Sequence, residues 1–315
     1  MRGLFKKPGD YHKSGRAHFD EIELLSIIDV TARTNALTTG EIDVARPVRP
    51  QDHVHLLARN PAIQGAGNHR HPPLHLPMRA DMAPHDDANS RRALKWGLDR
   101  PRSWRRPCCA AMAWSATIIP SHPRCAITRA ISNRQPTIPT RRGFYLKEAG
   151  LSNLTVDLSA ADAAFAGAVD AATLYREHAA AAGIEINIVR EPNDGYWSNV
   201  WLKKPWCACY WGGRPTEDWM FSTAYQSGVA WNDTYWSDER FDAPSAPEAR
   251  SQLNDGLRGE MYREMRSILR DDGGLVCAMF ASYVFALRQD RPTNKWAAAG
   301  TSTARNASNA GGCVS

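Results

Sequence analysis

The sequence predicts an α/β fold, and three observations predict it. Strand and helix patterns alternate over the first hundred residues. A strand–helix–strand order runs from Leu154 to Val189, which implies a parallel pair joined by a helical crossover. A stretch dense in tryptophan follows at once, beyond the carboxyl ends of those strands, where open α/β sheets carry ligands.

A chain of 315 residues can bury a large core and is expected to hold two domains or lobes. Its 43% hydrophobic and 23% charged content is that of an ordinary globular protein. No apolar run reaches the ~18 residues a membrane helix needs. The charged start, MRGLFKKPGDYHKSGRAHFD, lacks an apolar h-region, so no signal peptide is expected in the chain as written. The net charge of +6 is local: residues 101–142 hold eight arginines and no acid, and without them +6 becomes −2. One basic block is a poor footprint for nucleic acid, and no nucleic-acid partner is expected. Seven cysteines, with no CxxC spacing, exclude complete intramolecular pairing. Cys207 and Cys209 read as small apolar residues rather than a zinc site.

In order, Glu21–Val30 (EIELLSIIDV) reads as a strand, Thr31–Leu37 as a short helix closed by Gly40, and Glu41–Val44 as a second strand. A helix is expected over Asp52–Arg59. Leu74, Leu76 and Met78 alternate with His75, Pro77 and Arg79, a strand that Pro77 should confine to an edge or a bulge. Asp86 or Asp87 can cap the next helix, with Leu94 and Leu98 on one face. Six histidines lie between His53 and His85, but no carboxylate–histidine pattern frames them, so no metal is expected. Residues 101–142 hold six prolines and sustain no period, so they read as irregular.

The pattern resumes with a helix over Phe144–Ala149, a strand over Leu154–Leu158, and a helix marked by Phe165, Val169, Ala172, Arg176 and Ala179. A strand follows over Ile184–Val189. Beyond it come a helix over Tyr196–Leu202, a strand over Trp206–Trp211 and a helix from Pro215. Leu253, Leu257, Met261, Met265 and Ile268 mark an amphipathic helix, followed by strands at Leu275–Ala281 and Tyr283–Leu287. The end, 291–315, is small and polar and reads as a disordered tail.

Glu191–Asp233 is the centre of interest. It holds six of the eleven tryptophans: Trp197, Trp201, Trp206, Trp211, Trp219 and Trp231. Buried Trp and Tyr each need a hydrogen-bond partner, so this density of polar-edged rings suits a concave site that stacks on a polar solute. A tryptophan-heavy core under a long loop is the bland alternative. The residues expected to bind ligand are Asp194, Tyr196, Trp197, Trp206, Cys209, Tyr210, Trp211, Arg214 and Asp218. Gly212 and Gly213 would permit a sharp turn beside them.

Several blocks resemble one family. AHFDEIELLSIIDVTARTNALTTGEIDV is similar to a segment of the solute-binding proteins of ABC importers, family 5 (peptide/nickel class). LPMRADMAPHDDANSRRALKWGLDR resembles the family's strand, PFDD, helix and IDR block, with His85 where Phe is usual. YLKEAGLSNLTVDL resembles its LLKEAG-and-strand block, and Glu191–Tyr225 resembles one subgroup closely. Together these cover about two thirds of the chain.

The resemblance implies periplasmic-binding-protein-like type II lobes and a non-enzymatic, monomeric receptor without cofactors. Such a receptor closes on a peptide-like or other small polar solute and delivers it to membrane permease subunits. It also implies a partial lobe over 1–100, an irregular linker over 101–142 and a C-terminal solute-binding lobe over 143–290. Peptide-binding members of the family carry an aspartate in a CADY-like strand that anchors the ligand's ammonium. CACY stands here, so Cys209 replaces it, and a neutral thiol supplies no charge-assisted bond.

The chain is short for the resemblance, and its first lobe is expected to be incomplete. Segments 101–142 and 291–315 depart from the family pattern, as an out-of-frame reading of a GC-rich gene would. Weak or absent solute binding by this chain alone is therefore expected. The family implies a periplasmic location, and the chain as written a cytoplasmic one. Two other classes stand as alternatives: an enzyme using Asp194, Glu217 and Asp218 as acid/base groups, and a nucleic-acid binder acting through 101–142.

Overall fold

The computed structural model describes residues 2–5, 22–27, 29–45, 60–68, 73–98, 113–115, 139–212, 214, 216–242, 245–281 and 283–288. The expected helix at 52–59 and the tail at 291–315 lie outside them. The chain forms two compact units, one of residues 1–71 with 282–315 and one of 72–281. The strand and helix between 73 and 97, expected in a lobe spanning 1–100, thus belong to the second unit.

In the first unit, β1 (Arg2–Phe5) pairs antiparallel with β2 (Ile22–Leu25). The strand expected over Glu21–Val30 stops early because Asp29 turns the chain into helix α1 (Val30–Thr39), its side chain accepting from the Ala32 N–H at 2.7 Å. Gly40, at φ +82°, closes α1 as expected. β3 (Val44–Ala45) and β4 (Ile63–Asn68) flank β11 (Tyr283–Arg288) in an antiparallel sheet. Leu37, Ala45, Ile63 and Leu287 are buried there.

The second unit is built on a four-stranded antiparallel sheet. Its order is β6 (Ala113–Ser115), β10 (Leu275–Ala281), β5 (Pro73–Pro77), β9 (Cys209–Tyr210). Two expectations change here. Residues 113–115, inside the segment read as irregular, form an edge strand against β10. β5 is interior rather than an edge. Pro77 is tolerated because its carbonyl faces Cys207, while the bond to the β10 side comes from the Met78 N–H to the Gly274 carbonyl, 2.7 Å. The missing N–H therefore costs the β5–β10 ladder nothing.

Both faces of this sheet are covered. Leu76, Met78 and Val276 face one apolar core. Leu275, Cys277 and Cys209 face another. Because side chains alternate with period two, the strands read as nearly continuous apolar runs. His75 shares its face with Cys277 and Cys209, since the register sets it opposite Cys277 on one side and Cys209 on the other.

The first core is the expected βαβ unit. β7 (Leu154–Ala160) and β8 (Ile184–Arg190) are parallel in register Leu154↔Ile184, burying Leu154, Val156, Leu158, Ile184 and Ile186. Each such aliphatic side chain contributes about 1.5–3 kcal/mol. The crossover helix α4 follows α2 (Ala88–Gly97) and α3 (Pro139–Glu148) in the chain and spans Ala168–Ala180. It buries Ala172 and Ala179 as expected, with Ala168 and Tyr175 in place of Val169 and Arg176, and Arg176 stays exposed. Asp87 caps α2, accepting from the Ser90 N–H at 2.7 Å.

The second core lies under three short helices, α6 (Glu217–Ala224), α7 (Glu239–Asp242) and α8 (Ser245–Ser251), and the long α9 (Asp255–Asp271). Asn254 caps α9, so Leu253 precedes it and is 93% exposed. The buried stripe is Tyr262, Met265, Arg266 and Leu269 rather than one starting at Leu253.

Candidate functional site

The site grows out of β9 and the loops on either side. After β8, Gly195 at φ +70° turns the chain into α5 (Tyr196–Asn199). The chain then bridges back to the sheet at Trp206, opposite Met78, and at Cys207, beside Ser159. In β9 the period of two sends Cys209 inward and Tyr210 outward. Thr216 caps α6 by accepting from the Trp219 N–H at 3.2 Å.

These turns bring five rings into one continuous run. Trp197 meets Tyr210 edge-on at 5.6 Å and Trp201 at 6.0 Å. Trp201 meets Trp211 at 6.3 Å, and Trp211 meets Trp231 at 5.8 Å. Such pairs contribute about 0.5–1.5 kcal/mol each beyond area burial. The guanidinium of Arg214 lies 5.6 Å from the Trp211 ring and 5.7 Å from the Trp219 ring. Trp197, Tyr210, Trp219 and Trp231 are 40–52% exposed. Four large rings left this open form an unusually apolar surface, and one of them, Trp219, lies against a cation.

Beneath them sits Asp233, buried. One of its oxygens, Oδ2, accepts from the indole N–H of Trp211 at 3.1 Å and of Trp201 at 3.2 Å, and lies 3.4 Å from His75 Nε2. The loop carrying it is fixed by its neighbours. Asn232 donates to the Trp236 carbonyl at 2.8 Å and accepts from the Thr234 hydroxyl at 2.8 Å. The Thr234 carbonyl accepts from the Ala80 N–H at 2.7 Å. Gly274 packs so closely that a Cβ there would lie 2.8 Å from Thr234 Cβ.

The expected ligand-binding residues divide. Trp197 and Tyr210 lie on the aromatic face, Trp211 is buried behind it, and Arg214 lies against the Trp211 ring. Asp194 is exposed on the loop before α5. Asp218 is held by Arg250 through two hydrogen bonds, at 3.0 and 3.3 Å. Tyr196, Trp206 and Cys209 are buried. Tyr196 donates to the Ala208 carbonyl at 2.9 Å, and Trp206 donates to the Leu76 carbonyl at 3.3 Å and packs on Tyr175. Burial, then Asp233, pushes the Cys209 thiol up, so it stays neutral.

Two functional residues escaped the sequence pattern: Asp233 and His75. The signal for Asp233 was local, since it closes the aromatic stretch between Trp231 and Trp236. His75 looked like the solvent side of an alternating strand. Only the second core, packed on that side, buries it.

The model of the bacterial extracellular solute-binding proteins, family 5, matches residues 4–233. No curated protein matches the sequence. Among solved structures, the ABC transporter-associated periplasmic binding protein DppA of Helicobacter pylori in complex with the peptide STSA is similar at a TM-score of 0.82 and 15% identity, over 98% of this chain and 61% of that one. NikZ of Campylobacter jejuni with Ni(L-His) gives 0.76 and 16%, over 88% and 58%. AgaA of A. tumefaciens R10 with agropinic acid gives 0.76 and 19%, over 91% and 59%. The chain thus spans about three fifths of the length of these proteins. At these identities the likeness shows the fold, that of type II periplasmic binding proteins.

Proposed function

This chain belongs to the bacterial extracellular solute-binding proteins, family 5, and from that membership we propose that it is the solute-binding component of an ABC importer. Its cargo is a small polar or peptide-like solute that stacks on the aromatic face of Trp197, Tyr210, Trp219 and Trp231 and is passed to a membrane permease. The observation that carries this reading is the exposure of Trp197, Tyr210, Trp219 and Trp231, with the Arg214 guanidinium lying against the Trp211 and Trp219 rings. A planar, delocalised cation held between rings recognises carboxylates. The neutral, buried Cys209 offers nothing to an ammonium. The favoured solute therefore carries an accessible carboxylate.

A non-enzymatic role is supported by the state of the acid/base candidates. Glu217 is buried and paired with Arg266 at 3.5 Å, and Asp218 is paired with Arg250. We propose a periplasmic site of action on family grounds. Among the described residues no helix is long and apolar enough to cross a membrane.

Tryptophan fluorescence of the purified chain, titrated with dipeptides, Ni(II)–histidine and agropinic acid, tests the reading. The expected result is a saturable change with at least one carboxylate-bearing solute, weaker than micromolar, that is lost in both Trp197→Ala and Arg214→Gln. Saturation with no solute, or a response unchanged in both variants, would reject it.

A further inference from the structure

Three polar residues of the second unit meet in an otherwise apolar core. His75, Cys209 and Asp233 are each at least nine-tenths buried, and one potential ligand atom from each lies within 4.8 Å of the others. They come from three separate places in the chain: β5, β9 and the loop after Trp231. Two of them are set by strand register, since His75 and Cys209 are direct cross-strand partners and so share a face. Asp233 is set by the Asn232–Thr234 hydrogen bonds and by the close approach of Gly274. The arrangement is therefore held by backbone, not by flexible side chains.

The hydrogen bonding of this cluster is incomplete. Asp233 Oδ1, His75 Nδ1 and the Tyr225 hydroxyl are all buried and have no hydrogen-bond partner among the described residues. Tyr225 packs in the same core as Cys209 and Cys277. Each unsatisfied buried polar atom costs about 1–3 kcal/mol. Several in one place call for a group that satisfies them, a water or an ion. The donor types decide between these. A thiol, an imidazole and a carboxylate, one each, form the mixed sulfur–nitrogen–oxygen set that a borderline-soft divalent ion takes. In a tetrahedral site the ligand atoms lie roughly 3–4 Å apart, and here they lie within 4.8 Å of one another.

We infer that His75, Cys209 and Asp233 form a buried structural site for a divalent transition ion of the zinc type, directly beneath the aromatic face. The charges balance. A dication with one thiolate, one carboxylate and a neutral imidazole has no net charge, so its burial avoids the penalty of an isolated ion. Binding releases the Cys209 proton to solvent, and the metal–sulfur bond replaces the S–H bond. Cys277 lies on β10 opposite His75 and on the same face. The ion is not cargo. It would be enclosed by the core during folding, and it would fix Asp233, hence the indoles of Trp201 and Trp211. The inference does not depend on the solute reading.

The test is refolding of the full chain from denaturant with and without Zn(II), and with Co(II) as an optical probe. The expected result is a thiolate-to-cobalt charge-transfer band in the wild type and in Cys207→Ala that is lost in Cys209→Ala. A second measurement needs no variant: alkylation of the wild type in mild denaturant, mapped by mass spectrometry. Zn(II) should slow modification of Cys209 at least tenfold and leave Cys207 much less affected. A band that persists in Cys209→Ala, a wild type without a band, or equal protection of the two cysteines would each overturn the proposal.

Discussion

His85 is a histidine in a place built for an aromatic hydrocarbon. It is buried, its ring packs at 5.8 Å from Trp206, and neither ring nitrogen has a hydrogen-bond partner among the described residues. Burial, and then the nearby Arg91 guanidinium, push its pKa down to about 4. The unfolded chain binds the proton first, at about 6.5. The stability this site retains is therefore complete above pH 6.5 and is lost as pH falls toward 4. At pH 5 the linked loss is about 2 kcal/mol relative to pH 8.

His85→Phe removes both the proton linkage and the unsatisfied nitrogens. At pH 8 it should stabilise by about 1–3 kcal/mol, less any cost of the larger ring. Urea unfolding followed by the tryptophans of the second unit measures this at pH 8, 6 and 5. The gap between variant and wild type should widen by about 2 kcal/mol on acidification, a midpoint shift of roughly 1 M. The widening is independent of how well the new ring packs. A gap constant from pH 8 to 5 would refute the reasoning even if the variant proved more stable.

Glu217 and Asp218 are neighbours in sequence with opposite fates. Glu217→Ala leaves Arg266, fully buried, without its carboxylate and should cost about 3–5 kcal/mol, whereas Asp218→Ala breaks a pair whose arginine is largely exposed and should cost at most about 1 kcal/mol. Equal losses in thermal or urea unfolding would contradict the burial assigned to the first pair. Lys95 is buried with its Nζ donating to the Arg270 carbonyl at 2.9 Å, at the end of α9. Burial, and then Arg91, push it down to about 7, against Asp272 and Asp271, which pull it up. The unfolded lysine stays charged to about 10.5, so stability should rise with pH from 7 toward 10. Lys95→Met should flatten that rise, and an unchanged slope in pH-dependent unfolding would count against it.

Much of the second unit was legible because its signals are local. The helix cap Asp87 and the alternation of Leu154, Val156 and Leu158 each act within a few residues. The misreadings come from long-range packing. Pro77 is tolerated in an interior strand because its peptide faces Cys207, which no local pattern reveals. His75 alternates like a solvent-facing residue, yet a second core covers it. Leu253 fits a helical stripe, but Asn254 caps the helix, which starts only at Asp255. The candidate site was half legible for the same reason. Density of tryptophan in the sequence marked the place, but not which rings face out.

That density has a physical explanation in two layers. Trp197, Tyr210, Trp219 and Trp231 leave 40–52% of their surface open, a cost in exposed apolar area that folding alone does not require. Trp201 and Trp211 sit behind them, and both indole N–H groups converge on one oxygen of Asp233. A single buried carboxylate thus satisfies two rings that would otherwise bury unpaired donors. It also ties the exposed layer to β5 through His75 and to β10 through the packing of Gly274 on Thr234. The aromatic face is therefore not a loop ornament but the outer layer of a sheet-anchored polar cluster. Changes at His75, which touches no solvent, should be transmitted to the rings that do.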